Sequence, residues 1–177
     1  ISDRSGIISI RSILDGIFYA LKNQADVINL SLALSLRQVT GQLTKIEQDE
    51  LSSNVLVDEA KMWDEVYRIA NEEGTVIVQA AGNDAVLAAL DPMKRSRNTI
   101  VVGAIDRKGG ISNFSNTGIA VTVYAPGVEI YSALPKNEIG PLDGTSMASR
   151  IIAGCIGLIK SVKRDISYEE LIRLIES

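Results

Sequence analysis

Apolar residues recur along this chain in two alternating patterns, one typical of helices and one typical of buried strands. Apolar residues spaced three and four apart, together with a capped start at Ser167, predict helices at 11–24, 54–74, 144–162 and 167–177. Short runs rich in Val and Ile predict strands at 26–32, 75–83, 98–105 and 119–127. Helices and strands therefore alternate over the first half of the chain, and two helices close it.

This alternation predicts an α/β fold, a three-layer sandwich in which helices cover both faces of a mostly parallel sheet. The 144–162 segment is apolar nearly all round, so we expect that helix to be buried. Gly154 and Gly157 would let it lie close to neighbouring backbone. Cys155, in the same segment, would then be a buried and unreactive thiol.

The length of 177 residues suits a single domain, 1–177. The chain opens at Ile1 with neither an initiator Met nor a signal segment, so we expect a piece excised from a longer protein. Residues 34–53 are polar, lack clear periodicity and exceed the usual length of a strand-to-helix connection. They form either a solvated surface loop with a helical turn or an inserted lid at the edge of a substrate site.

Charge and composition exclude several kinds of partner. The chain has 18 basic and 22 acidic residues, a net charge of -4, and no clustered basic face, so no nucleic-acid partner is expected. No apolar run approaches the roughly 20 residues that span a bilayer, so no membrane partner is expected. With no histidine and one cysteine, a zinc site of His and Cys ligands and an internal disulfide are both excluded.

The stretch "LDGTSMAS" (142–149) places Ser146 at the predicted start of a long helix. Unpaired N–H groups and the positive end of the helix dipole favour a developing oxyanion there, which suits a serine nucleophile. Gly144 permits a tight turn just before it. The alternative is that Thr145 or Ser146 only caps the helix.

A second candidate is Asn83, in "QAAGND" (79–84), where a buried strand runs into a turn. An asparagine placed beyond a strand end can aim its side-chain amide into a cleft and donate to an oxyanion. The alternative is a turn residue in the left-handed conformation, which asparagine tolerates.

Together, "AAGN" and "GTSMA" with two strands between them resemble the subtilisin-like serine proteases, or subtilases. The segments 25–33, 98–118 and 121–134 also resemble core segments of that family, so the resemblance covers nearly the whole chain. It implies that Ser146 is the nucleophile and that Asn83 and the Ser146 N–H bind the oxyanion. It further implies substrate-binding roles for two groups of residues: Ser31, Leu32 and Ala33 along the substrate backbone, and Ala80, Ala81 and Gly82 around the residue before the scissile bond.

The resemblance also implies what these 177 residues lack. The family's aspartate and histidine precede the serine in sequence, so we expect them upstream of Ile1, with the N-terminal part of the fold. The chain alone would then be inactive as a serine endopeptidase. Arg150 stands where the family usually has proline and Ala33 where it usually has glycine. These departures favour the alternative of a non-catalytic member that binds peptides or partner proteins.

Expected partners are a polypeptide substrate and the missing N-terminal part of the same domain. No cofactor is expected. Calcium sites are frequent in the family, but no ligand cluster in this sequence identifies one. The resemblance alone favours an extracellular or cell-envelope location. Two acidic sites are candidates to replace a histidine. Asp143 is interpreted as a turn residue, and Glu72 with Glu73 as solvated charges at a helix end.

Overall fold

The computed structural model describes residues 8–34, 40 and 42–176. Its α-helices are α1 (Ile10–Lys22), α2 (Lys45–Asn54), α3 (Val57–Glu72), α4 (Thr145–Val162) and α5 (Tyr168–Glu176). Its β-strands are β1 (Val27–Leu30), β2 (Val76–Ala80), β3 (Ile100–Ile105), β4 (Val123–Pro126), β5 (Ile130–Leu134) and β6 (Glu138–Leu142). Short 3-10 helices at Ala88–Leu90 and Pro92–Lys94 lie between β2 and β3.

Four strands form one sheet in the order β1-β2-β3-β4, and each neighbouring pair is parallel. The pairing of β1 with β2 runs in register from Val27↔Val76 to Leu30↔Gln79. The predicted α/β class with a mostly parallel sheet is confirmed. The sequence patterns did not predict the antiparallel hairpin of β5 and β6, which leads through Asp143 into α4.

Successive residues of the strands face opposite sides of the sheet. Val76 and Val78 of β2 belong to a buried cluster with residues of α4 and α5. Ile77, between them, belongs to a second cluster with residues of α1 and α3. Helices therefore cover both faces of the sheet, and the predicted three-layer sandwich is confirmed.

Helix α4, which carries the predicted nucleophile Ser146, is buried on one face only. It packs against the sheet, but Leu158 and Val162 are 71% and 90% exposed. The prediction of an all-round buried helix was wrong. A β-carbon at Gly154 or Gly157 would meet nothing within 4 Å, and Cys155 is exposed, so both expectations about these residues were also wrong. The physical reason is that no described residue covers the outer face of α4.

By length and composition α4 would also suffice to cross a membrane. Core helices of folded domains have the same composition, and the sheet-facing residues of α4 pack into a hydrophobic cluster of this fold. The apolar outer face is therefore interpreted below as a packing surface.

The predicted helix over 54–74 corresponds to α3, which begins three residues later than expected, at Val57. Leu56 adopts the left-handed conformation with φ 55°, which ends α2 before α3 begins at Val57. Val55 and Met62, expected on the buried face, are exposed, whereas Trp63 and Tyr67 are fully buried. The sequence pattern did not predict this later start, because no Gly or Pro marks it.

The polar stretch 34–53 contains most of helix α2. Thr44 and Glu47 form a reciprocal capping box at its start. Gln48 is buried, donates to Leu43 O (2.9 Å) and accepts from the Leu87 N–H (2.8 Å). This part of the stretch is therefore a docked helix. Residues 35–39 and 41 lie outside the described residues, so the predicted lid at the substrate edge stays untested.

Replacing Gln48 by alanine should lower the free energy of unfolding by about 1–3 kcal/mol, because the Leu87 N–H and the Leu43 carbonyl lose their partner. Urea denaturation followed by circular dichroism measures the change. The exposed Ser53→Ala on the same helix is the matched control and should stay within about 0.5 kcal/mol. Equal effects of both substitutions would contradict the docking role of Gln48.

Candidate active site

Three segments meet beyond the carboxyl ends of β1 and β2, the edge where parallel α/β sheets place their ligands. Residues 31–34 follow β1, residues 81–86 follow β2, and the N-terminus of α4 contacts both. The structure therefore brings the predicted nucleophile, the predicted oxyanion donor and the predicted substrate strand to one place.

Ser146 is the second residue of α4, and the helix is not capped by a side chain. Gly144 occupies the N-cap with φ 148°, a conformation that favours glycine. The interpretation of Thr145 or Ser146 as a mere cap was therefore wrong. Ser146 is half-buried, and its Oγ has no hydrogen-bond partner among the described residues. Its backbone N–H lies in the first turn, where helical N–H groups lack an acceptor within the helix.

The Asn83 side chain is held in one orientation by Thr145. Asn83 Oδ1 accepts from the Thr145 backbone N–H and from Thr145 Oγ1, each at 2.9 Å. Because a backbone N–H can only donate, the atom facing it is the amide oxygen, and Nδ2 faces the other way. Nδ2 has no acceptor within the described residues, and Asn83 is exposed. A fixed amide donor is therefore available at the start of α4.

Asn83 does not adopt the left-handed conformation that the alternative interpretation required. The positive φ in this turn belongs to Ala85, at 59°. A β-carbon on Gly144 would lie only 3.4 Å from Asn83 Nδ2. The absence of a side chain at Gly144 therefore lets the start of α4 lie close to the Asn83 side-chain amide.

Thr145 links the two predicted site residues, because it bonds the Asn83 side chain and directly precedes Ser146. The sequence patterns did not predict this role. Thr145 is fully buried, and its Oγ1 also accepts from the Gly82 N–H at 3.1 Å. Every hydrogen-bonding group of this side chain is thereby used within the turn and the helix start. The sequence signal was present, since threonine precedes the serine, but it also suited a cap.

Residues 31–34 are held against the body of the protein on either side of Ala33. Lys94 Nζ donates to Leu32 O (2.9 Å), and Asp91 Oδ2 accepts from the Leu34 N–H (3.4 Å). The N–H and C=O of Ala33 make no hydrogen bond within the described part of the chain. In an extended chain they point away from the groups of residues 32 and 34, which leaves them free to pair with another strand.

Ser31 ties the same segment to α4. Its Oγ lies 3.3 Å from Ser149 Oγ and 3.4 Å from Ser146 O, and it accepts from Asn29 Nδ2 at 2.9 Å. The predicted substrate strand is thereby connected to the helix turn that carries Ser146.

Lys94 is a fully buried cation beneath this segment. Its Nζ also donates to Gln79 Oε1 (2.7 Å) and lies 3.8 Å from Asp91 Oδ2. Burial lowers the pKa of the Lys94 amine, and the negative charge of Asp91 opposes that shift. Sequence reasoning missed this pair, because nothing in "DPMK" distinguishes a buried lysine from a solvated one.

The three residues predicted to surround a substrate side chain are buried. Ala80 and Ala81 are at most 2% exposed, and Gly82 has φ 108°. The methyl group of Ala33 would lie 3.5 Å from a β-carbon on Gly82, so the two segments run side by side here. Any pocket at this point is therefore formed mainly by backbone.

In the part of the chain that the structure describes, no side chain that could act as a general base is hydrogen-bonded to Ser146 Oγ. The 177 residues contain no histidine. Asp143 Oδ1 accepts from the Glu129 N–H at 2.6 Å, which fits its interpretation as a turn residue. Glu72 is paired with Arg68 on the surface of α3. Within the described residues, no group of three or more Cys, Asp or Glu is placed to hold a metal ion.

Comparison with known proteins finds relatives over nearly the whole chain. The sequence model of the subtilase family of peptidases matches residues 3–177. Thermophilic serine proteinase of Bacillus sp. (strain AK1) is 34% identical over 163 residues, which are 92% of this chain and 35% of that protein. Thermitase of Thermoactinomyces vulgaris is 33% identical over 165 residues, or 93% of this chain and 51% of thermitase.

Subtilisin DY of Bacillus licheniformis is 33% identical over 160 residues, covering 89% of this chain and 50% of that protein. The crystal structure of a cold adapted subtilisin-like serine proteinase superposes with a TM-score of 0.76 at 24% identity. That match covers 98% of this chain and 56% of the other, and it shows a shared fold. The chain thus spans about a third to a half of the length of these curated relatives.

Proposed function

Because the chain belongs to the subtilase family of serine peptidases, we propose that it supplies the nucleophile and the oxyanion donors of a peptide-hydrolysing site. Ser146 is the nucleophile, and Asn83 Nδ2 and the Ser146 N–H bind the oxyanion. The observation that carries this proposal is the fixed, unpartnered amide of Asn83 at the start of α4. Donors fixed in advance stabilise developing charge without reorganising during the reaction.

The proposed reaction proceeds through an acyl-enzyme. Ser146 Oγ attacks the peptide carbonyl while a histidine takes its proton, and the tetrahedral oxyanion is held by Asn83 and the Ser146 N–H. The histidine then protonates the leaving amine. Water, activated by the same histidine, releases the acyl group. A carboxylate orients the histidine. Both of these residues would come from outside these 177 residues, so the chain alone should lack activity.

The segment that brings the histidine would cover the outer face of α4. That face is apolar and carries Cys155, Leu158 and Val162, all exposed. Ser146 lies at the head of the same helix, so one segment packed along α4 would also reach the nucleophile. β1 is an outer strand of the described sheet, and the buried Oδ1 of its residue Asn29 has no hydrogen-bond partner among the described residues. An added strand along β1 would extend the sheet.

The substrate is proposed to be a polypeptide that pairs with the free backbone groups of Ala33. Ser31 and Leu32 lie on the same segment, and the backbone of Ala80, Ala81 and Gly82 faces the residue before the scissile bond. The resemblance-based location, extracellular or in the cell envelope, is tested by cell fractionation. Calcium binding is tested by melting with and without a chelator.

A second candidate function is peptide binding without cleavage. It is favoured by the unpartnered Ser146 Oγ in a chain without histidine, and by Ala33, whose methyl group lies beside the Gly82 backbone. Arg150, at the family's usual proline, is exposed and compatible with α4. It therefore does not discriminate between the two candidates.

Labelling with a fluorophosphonate probe tests the proposal. The chain is examined alone and co-expressed with the polypeptide that contains the family's aspartate and histidine. Labelling of Ser146 is expected only in the assembled domain, because only there is its proton accepted. Ser149→Ala, which leaves the nucleophile in place, should still label, whereas Ser146→Ala should not. Folded assemblies that bind peptide but never label would establish the binding function instead.

A further inference from the structure

Asn116, between β3 and β4, forms four hydrogen bonds with the turn that carries Asn83. We infer that Asn116 is a positioning residue that fixes the backbone on both sides of the oxyanion donor. The inference rests on the proposed role of Asn83, and it adds a residue that sequence reasoning did not single out.

The side chain and backbone of Asn116 reach four residues of the turn. Its N–H donates to Gly82 O (2.9 Å) and its Nδ2 to Ala81 O (3.0 Å). Its Oδ1 accepts from the Asp84 N–H (3.0 Å) and from the Val86 N–H (3.2 Å). Asn116 thereby holds the residue before Asn83 and the residue after it.

Asn116 is 2% exposed, so water does not replace these bonds in the folded protein. This arrangement requires an amide side chain. The Asn116 side chain accepts two hydrogen bonds and donates one, so it needs both a carbonyl oxygen and an NH₂ group. A serine at position 116 would offer a single hydroxyl in place of the amide, and an alanine would offer no hydrogen-bonding group on its side chain. The turn also contains Ala85 with φ 59°, a conformation that must be held by its surroundings.

Asn116 also packs closely against Gly82. A β-carbon at Gly82 would lie 2.3 Å from Asn116 Nδ2, so the backbone of the turn packs directly on the amide. Thr145 holds the Asn83 side chain through its Oδ1, and Asn116 holds the backbone of the residues before and after Asn83. Together they leave Nδ2 as the one amide group of Asn83 free to donate to an oxyanion.

The first test uses the chain itself and needs no catalysis. Nuclear magnetic relaxation of the Asn83 side-chain NH₂ should give an order parameter near that of rigid backbone, about 0.85. In Asn116→Ala and in Asn116→Ser it should fall below about 0.6. Should the alanine variant fail to fold, the serine variant decides. An unchanged order parameter in a folded variant overturns the inference.

Ser112→Ala is the matched control. Ser112 is also buried, in the same segment, and its Oγ donates to Ala104 O at 3.1 Å without contacting the turn. This substitution should leave the Asn83 order parameter unchanged. A fall equal to that of Asn116→Ser would mean that general loosening moves Asn83, which overturns the inference.

The second test uses the assembled domain. Asn116→Ser should lower kcat about 10- to 100-fold with little change in KM, since a donor displaced by a fraction of an ångström fails mainly in the transition state. In the Asn83→Ala background the same change should cost less than about twofold. Additive losses would overturn the inference. If the assembled wild type cleaves no peptide, the proposed function fails, and the relaxation experiment still decides the role of Asn116.

Discussion

Replacing Asn83 by alanine should lower kcat of the assembled domain about 10²–10³-fold, with KM nearly unchanged. This size was measured on subtilisin, a relative of this chain, and corresponds to about 2.7–4 kcal/mol of transition-state stabilisation. The physical reason is that Nδ2 donates to charge that exists only in the transition state. Steady-state kinetics on a peptide nitroanilide measures both parameters.

Asn83→Asp is the informative companion variant. A carboxylate retains the acceptor for the Thr145 N–H and hydroxyl, so the start of α4 should keep its geometry. It has no group that can donate to the oxyanion, and its charge repels one. Activity should therefore fall at least as far as in Asn83→Ala. Full activity of Asn83→Asp would contradict an oxyanion role.

Replacing Lys94 by methionine should lower the free energy of unfolding by about 3–5 kcal/mol, the usual cost of breaking a buried ion pair from one side. Methionine fills similar volume, so a cavity is not the cause. The substitution leaves Asp91 charged and 2% exposed, and it leaves Leu32 O and Gln79 Oε1 without their donor. Guanidinium denaturation followed by tryptophan fluorescence reports on the single Trp63.

Lys160→Met is the matched control for this prediction. Lys160 is also buried, but its Nζ donates to one carbonyl, Gly74 O at 2.8 Å, and forms no ion pair within the described residues. Its loss should cost less than that of Lys94. Adding Asp91→Asn to Lys94→Met should recover part of the stability, because the uncompensated charge disappears. A loss below about 1 kcal/mol in Lys94→Met would contradict the buried-pair interpretation.

Lys94 should also make the free energy of unfolding depend on pH. Burial places the folded pKa of Lys94 below its ordinary value of about 10.4. The unfolded chain then binds this proton more tightly than the folded chain. The contribution of Lys94 to stability therefore rises with pH between the folded pKa and the ordinary value.

Much of the fold was predictable because strand and helix periodicities are local properties of sequence. Each predicted strand contains an observed one, and the alternation within β2 matches its two buried faces. The burial of α4 was not predictable, because apolar composition gives the preference for burial but not the neighbour that provides it. The later start of α3, after Leu56, was hidden for a different reason, since a leucine in the left-handed region leaves no compositional signal.

In the site, Ser146 and Asn83 were predictable from short motifs, and the structure brings them to one edge of the sheet. The residues that hold them were not predictable. Thr145 lies 62 positions from Asn83, and Asn116 lies 32 positions from Asp84. Their hydrogen-bonding roles exist only after the chain has folded. The same holds for Lys94, 62 positions from Leu32.

The exposed thiol on α4 offers a single site for attaching a fluorescent dye. Cys155 is the chain's single cysteine, so a maleimide dye would attach at one known position. That position lies on the surface that the histidine-bearing segment is proposed to cover. A polarity-sensitive dye there would register docking as a change in colour or brightness, in real time and without engineered residues.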